Sequence, residues 1–193
     1  LTESSSIVVE SLRNRFESDR EFGVACIFCN YKEQVDQTSV NLLAALWLQL
    51  VHGKKTPSDD VVALYKKLVN RETRPTLNDI AEVLNKEIAR YQKVYVVVDA
   101  LDECAESSRV EILEKLRAKN PTLRLLVTSR LYDSIARQFE GQPRLEIAAS
   151  AHDVRAYVRG RITQGSRLER YVIKDPSLRE DIENTVSAKA QKM

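Results

Sequence analysis

The sequence predicts an α/β layered domain with a mostly parallel sheet. Two observations carry that prediction. Residues 94–98, Val-Tyr-Val-Val-Val, are apolar, mostly β-branched and do not alternate with polar ones, as in a strand buried on both faces. Further short apolar runs at 24–28, 123–127 and 145–147 are separated by stretches of helical periodicity, so strands alternate with helices along the chain. With 43% hydrophobic residues and only five glycines and five prolines in 193, the chain can bury a proper core.

In chain order, Ile7, Val8, Ser11, Leu12, Arg15 and Phe16 give an amphipathic stripe that predicts a helix over 4–17. The strand at 24–28 ends at Asn30, Tyr31 and Lys32. Gln37, Thr38 and Ser39 lead into a helix with Val40, Leu43, Ala44, Trp47, Leu50 and Val51 on one face, closed by Gly53. Pro57-Ser58-Asp59 opens another, carrying Val61, Leu64, Tyr65, Leu68 and Val69. Thr76 with Asp79 has capping-box spacing ahead of Leu77, Ile80, Leu84, Ile88 and Tyr91. Beyond the strand at 94–98, Ser108 and Glu111 suggest a cap, with Val110, Leu113 and Leu116 facing inward. After the strand at 123–127 come a short helix over 131–139, a turn at Gly141-Gln142-Pro143 and a last strand at 145–147. Two helices follow, one bearing Val154, Tyr157, Val158 and Ile162, the other Leu178, Ile182 and Val186 behind Pro176.

The chemistry lies where the strand at 94–98 ends. Asp99, Asp102 and Glu103 put three carboxylates within five positions. In open α/β sheets the ligand crevice lies beyond the carboxyl ends of the strands. Acids there suit holding Mg²⁺ and orienting water beside a nucleotide phosphate. At the next strand exit, Thr128-Ser129-Arg130 offers a guanidinium, a forked and permanently charged donor for phosphate oxygens.

Other classes are disfavoured. Thirty basic against 28 acidic residues leave a net charge of +2, with no basic footprint for nucleic acid. No run of 18 apolar residues spans a membrane, and the start has neither the basic nor the apolar part of a signal peptide. The first residue is Leu, which suggests a piece of a longer protein. Cys26, Cys29 and Cys104 are an odd set; Cys26 and Cys29 fall in and beside a strand, so they read as buried thiols in a reducing, hence cytoplasmic, compartment. His52 and His152 have no metal-ligand partners at useful spacing.

From 94 to 104 the sequence Val-Tyr-Val-Val-Val-Asp-Ala-Leu-Asp-Glu-Cys resembles the Walker B motif of NACHT-type P-loop (STAND) NTPases, in the form of the fungal NACHT and nephrocystin-like N-terminal subfamily. Thr128-Ser129-Arg130 is similar to that family's sensor 1. The resemblance implies a three-layer P-loop NTPase-like core over 1–150, followed by the beginning of a helical lid over 151–193. It implies a sheet in which 24–28 lies beside 94–98 and 94–98 beside 123–127, with an open slot before 145–147. In the roles it implies, Asp99 holds the metal, Asp102 with Glu103 positions the attacking water, and Arg130 reaches the terminal phosphate. The cofactors implied are Mg²⁺ and ATP or GTP in the full-length parent, a slow NTPase switch. Its partners would be the nucleotide and further copies, through NACHT domains and flanking effector and repeat domains. The 193 residues contain no G-x-x-x-x-G-K-[ST]; Gly53-Lys54-Lys55-Thr56 comes nearest and follows a helix. The first strand and phosphate loop would therefore precede Leu1, and this chain should bind no nucleotide tightly. Two other readings stay open: a non-catalytic interaction module that keeps the fold, and a metal-dependent phosphohydrolase built on Asp99, Asp102 and Glu103.

Overall fold

The computed structural model describes residues 2–54, 58–117, 120–147, 150–163 and 167–190. The elements run α1 (Thr2–Phe16), β1 (Phe22–Phe28), α2 (Ser39–Lys54), α3 (Asp59–Arg71), α4 (Leu77–Ala89), β2 (Lys93–Asp99), α5 (Glu106–Arg117), β3 (Leu123–Val127), α6 (Asp133–Ala136), α7 (Ala151–Thr163), α8 (Glu169–Lys174) and α9 (Ser177–Ala190). Single 3-10 turns occupy Tyr31–Glu33, Leu101–Glu103 and Arg137–Phe139. The chain divides into two compact units, Leu1–Glu140 and Gly141–Met193.

The three strands form one parallel sheet in the order β1-β2-β3. Thus 24–28 pairs with 94–98, and 94–98 with 123–127, as expected. One face of the sheet carries Ala25, Ile27, Val94, Val96, Val98, Leu123, Leu125 and Val127. These pack with Leu43, Leu46 and Leu50 of α2, Ile80, Leu84 and Ile88 of α4, and Ile112, Leu113 and Leu116 of α5 into one core. Each fully buried Val, Leu or Ile among them contributes about 1.5–3 kcal/mol of transfer free energy. Gly23 leaves room for this packing: a Cβ would stand 2.9 Å from Leu50 Cδ2 and 3.3 Å from the Tyr91 ring, and those side chains would have to shift. On the other face α1 covers Tyr95 and Val97; the Phe16 ring stacks on Phe22 and Tyr95 at 4.4 and 5.5 Å. Helices on both faces make the unit three-layered and explain the unbroken apolar run of β2. Gln49 blunts the outer edge of β1, accepting from Cys26 N–H at 3.0 Å and donating to Cys26 C=O at 2.8 Å. In the second unit α7, α8 and α9 bury Val158, Ile162 and Val172.

Several expectations are corrected. Residues 145–147 form no strand, and Leu145 and Ile147 are 83% and 61% exposed. A three-residue run gains nothing from an extended backbone without a neighbouring ladder, and among the described residues β3 has no second strand beside it. The inner face of α1 is not Ile7 and Val8, which are exposed, but Ser5 and Val9, with Leu12 and Phe16 half-buried. Hydropathy points to the isoleucine and valine; the buried partner of Ser5 decides otherwise. α5 starts at Glu106, so Ser108 is inside it and caps nothing, and the buried face is Arg109, Ile112, Leu113 and Leu116 while Val110 is exposed. Tyr65, Val69 and Tyr157 are exposed on their helices. α2 continues through Gly53 to Lys54. The Thr76–Asp79 capping box is present as read.

Candidate functional site

β2 delivers Asp99 to the carboxyl edge of the sheet with 1% exposure. A carboxylate so deep needs donors. Asp99 Oδ1 accepts the Ser5 hydroxyl from the first turns of α1 and the Thr128 hydroxyl, at 2.6 Å, from the exit of β3. Three elements converge on one oxygen. Neither Ser5 nor the Thr128 hydroxyl was legible as part of the site. The signal for Ser5 was its position one turn before Val9, which puts it on the same inward stripe.

The chain must leave β2 sharply to keep its acids at this edge. Ala100 takes φ +52°, ψ +47°, a left-handed conformation that costs a non-glycine residue about 1–2 kcal/mol. Thr128 holds it there: its Oγ1 accepts from Ala100 N–H at 3.0 Å and its C=O from Leu101 N–H at 2.9 Å. The 3-10 turn that follows presents Asp102 and Glu103 to β3. Asp102, with its side chain 4% exposed, accepts from Arg130 N–H at 3.1 Å and Arg130 Nε at 2.9 Å. Arg130 Nη2 stands 3.6 Å from Glu103 Oε1, and the guanidinium is 63% exposed. Glu103 is also tied to the exit of β1: its Oε2 accepts from Tyr31 N–H at 3.3 Å and its C=O from Gln34 Nε2 at 2.8 Å. The four residues expected at the site, Asp99, Asp102, Glu103 and Arg130, are therefore in one place, joined by Ser5 and Thr128.

A family profile described as Nephrocystin 3, N-terminal matches residues 2–130. The chain belongs to the nephrocystin 3 N-terminal family. The matched segment runs from the start of α1 to Arg130, so every group of the site lies within the family's domain. No curated protein and no solved structure matches the chain.

Two chemical features of this nephrocystin-type domain bear on a cofactor. The set around Asp99 is all oxygen, one carboxylate and two hydroxyls, which suits a hard cation such as Mg²⁺. Among the described residues no three His, Cys, Asp or Glu side chains converge as a metal cage. Mg²⁺ in phosphoryl-transfer sites needs only one or two carboxylates, with phosphate and water supplying the rest. The residues fit that mode of binding. No helix among the described residues is long and apolar enough to cross a membrane.

Two thiols lie behind the acidic turn. Cys29, just past β1, and Cys104, which closes the turn, are both free and buried. The neighbouring Cys104, burial and the nearby acids raise the Cys29 thiol far above its ordinary range. The neighbouring Cys29, with help from Arg109 and against burial, lowers the Cys104 thiol.

Proposed function

We propose that this nephrocystin 3 N-terminal domain is the nucleotide-binding switch region of a NACHT-type signalling NTPase. One observation supports it above the rest: Asp99, buried at the end of the central strand, is held by hydroxyls from α1 and β3 beside the Asp102–Arg130 pair. In that reading Asp99 and the Ser5 hydroxyl hold Mg²⁺, which supplies charge neutralisation to the nucleotide phosphates. Asp102, with Glu103 behind it, accepts a proton from the attacking water and orients it. Arg130 leaves its carboxylate partners for the terminal phosphate when nucleotide is present and returns when it is gone. Such an exchange of one ion pair for another is how γ-phosphate sensors bias switch segments. ATP and GTP both fit this chemistry. Partners in the reading are the nucleotide and further copies of the parent.

The Arg130 ion pairs also favour a second reading, in which Asp102, Glu103 and Arg130 are structural and the domain is an interaction module. A phosphohydrolase built on the acids alone is disfavoured, because Asp99 turns to hydroxyls while Asp102 and Glu103 turn to Arg130.

The test is hydrolysis and binding in a chain with a phosphate-binding loop joined ahead of residue 2. Asp102→Asn is expected to slow hydrolysis at least about tenfold and leave nucleotide affinity intact, since it removes a proton acceptor used in the transition state. Asp99→Asn is expected to weaken the Mg²⁺-dependent part of binding. Unchanged Mg²⁺ dependence in Asp99→Asn overturns the metal role, and unchanged hydrolysis in Asp102→Asn favours the interaction module.

A further inference from the structure

On its side of the sheet α1 leaves the outer flank of β1 open. Phe22, Val24, Cys26 and Phe28 alternate with the core residues of β1, so all four turn to this side. The first three are half-buried and Phe28 is 39% exposed. Two adjoining hollows of about 250 and 240 Å³ lie over them, walled by α1 and sharing Arg13. Together they make one trough with an apolar floor, as long as β1 itself, or about 20 Å.

The edge of β1 turns a strand away. Gln49 holds both backbone groups of Cys26, while Gln37 accepts from Asn30 N–H at 2.9 Å and donates to Phe28 C=O at 3.1 Å. An added strand would have to displace both amides. A helix satisfies its own backbone and needs only the side chains of the floor, which about 14 helical residues would span. The rim sets the charge of that helix. Glu10 and Glu17 stand on the trough side of α1, two turns apart, exposed and with no ion pair among the described residues. Arg13, between them, turns across the floor instead, to Gln49 Oε1 at 3.4 Å and Cys26 Sγ at 3.8 Å. Contacts this long are weak and give way readily.

We propose that the trough between α1 and the outer flank of β1 is a docking groove for an amphipathic helix of a partner protein. Its apolar stripe lies on Phe22, Val24, Cys26 and Phe28, and lysines or arginines on its flank, two turns apart, meet Glu10 and Glu17. Burial of the floor supplies affinity, and the two acids fix register and orientation. Arg13 swings off the floor as the helix enters. No part of the groove belongs to the carboxylates at the end of β2, so the surface stands or falls apart from the proposed NTPase reading.

The experiment immobilises the folded 193-residue chain and selects from a displayed library of helices of about 14 residues. Each carries Leu or Phe along one stripe and a random choice of Lys, Glu or Ser on both flanks. Enriched helices should bear Lys at two flank positions two turns apart. A synthetic copy of the most enriched helix should shift the amide signals of Val9, Glu10, Arg13, Val24, Cys26 and Phe28. The double variant Glu10→Lys, Glu17→Lys should weaken it at least about tenfold, and the same helix with Glu for those two Lys should then prefer the variant to the wild type. Phe28→Lys, at an exposed floor position, should also weaken it at least about tenfold. Arg13→Ala clears the floor and should tighten it, an effect opposite in sign to loss of a structural contact. No enrichment, flanks without preference for Lys, shifts outside the groove, or sedimentation showing that a second copy of the chain already covers this face overturns the proposal.

Discussion

At the scale of single residues, Thr128 does more than its place in the Thr-Ser-Arg string suggests. Its hydroxyl donates to Asp99 and accepts from Ala100 N–H, so one side chain satisfies a buried carboxylate and holds a left-handed alanine. Thr128→Val keeps the shape and removes both bonds. It should destabilise the domain by about 2 kcal/mol, the usual cost of leaving buried polar groups unpaired. Thr128→Ser keeps the hydroxyl and should recover most of that. Urea unfolding of the two variants checks this, and equal stabilities would remove Thr128 from the network. The acids and Arg130 were legible in the sequence because strand ends in α/β sheets collect ligand groups. Ser5 was not, because hydropathy cannot see that a serine faces inward to meet a buried acid.

At the scale of elements, the sheet is the most predictable part and its edges the least. The run 94–98 announced a central strand, and the two flanking runs paired with it in parallel. Residues 145–147 read equally well as a strand by composition, but a strand exists only where a ladder receives it. α8 escaped notice because six residues hold too little periodicity to register. The outer edge of β3 makes a direct prediction. Thr128 N–H donates to Val98 C=O and Thr122 C=O accepts from Val94 N–H, so the even-numbered residues of this segment point their backbone groups at β2. The amides of Leu125 and Val127 therefore face the open edge. Hydrogen exchange resolved by residue should show them exchanging at least about tenfold faster than Arg124 and Leu126. Equal protection at all four would mean that another strand covers this edge, for instance from a second copy.

At the scale of the whole molecule, the two units differ in how much they bury. The first has a core built from the sheet, α2, α4 and α5, whereas the second rests on Val158, Ile162 and Val172, supported by Val154, Leu178 and Ile182 and by an Arg159–Glu183 ion pair at 2.9 Å. Small cores are marginal because little apolar area offsets the chain entropy. The second unit should melt first. The single tryptophan, Trp47, packs against the core of the first unit, so its fluorescence reports that unit, while far-ultraviolet circular dichroism reports helices of both. On heating, the dichroism should begin to fall before the fluorescence changes; coincident transitions would mean that the units unfold as one.

The central claim is that the carboxyl edge of the sheet is a nucleotide–metal site. A titration of the 193-residue chain with ATP, with and without Mg²⁺, followed by amide NMR, tests it most directly. Without a phosphate-cradling loop in these residues, binding should be weak, with Kd above about 1 mM, or roughly −4 kcal/mol at most. The shifts should nevertheless fall on Ser5, Asp99 to Glu103 and Thr128 to Arg130, and their Mg²⁺-dependent part should vanish in Asp99→Asn, which keeps an acceptor for both hydroxyls. Shifts confined to other surfaces, or a Mg²⁺ response that survives Asp99→Asn, would contradict the claim.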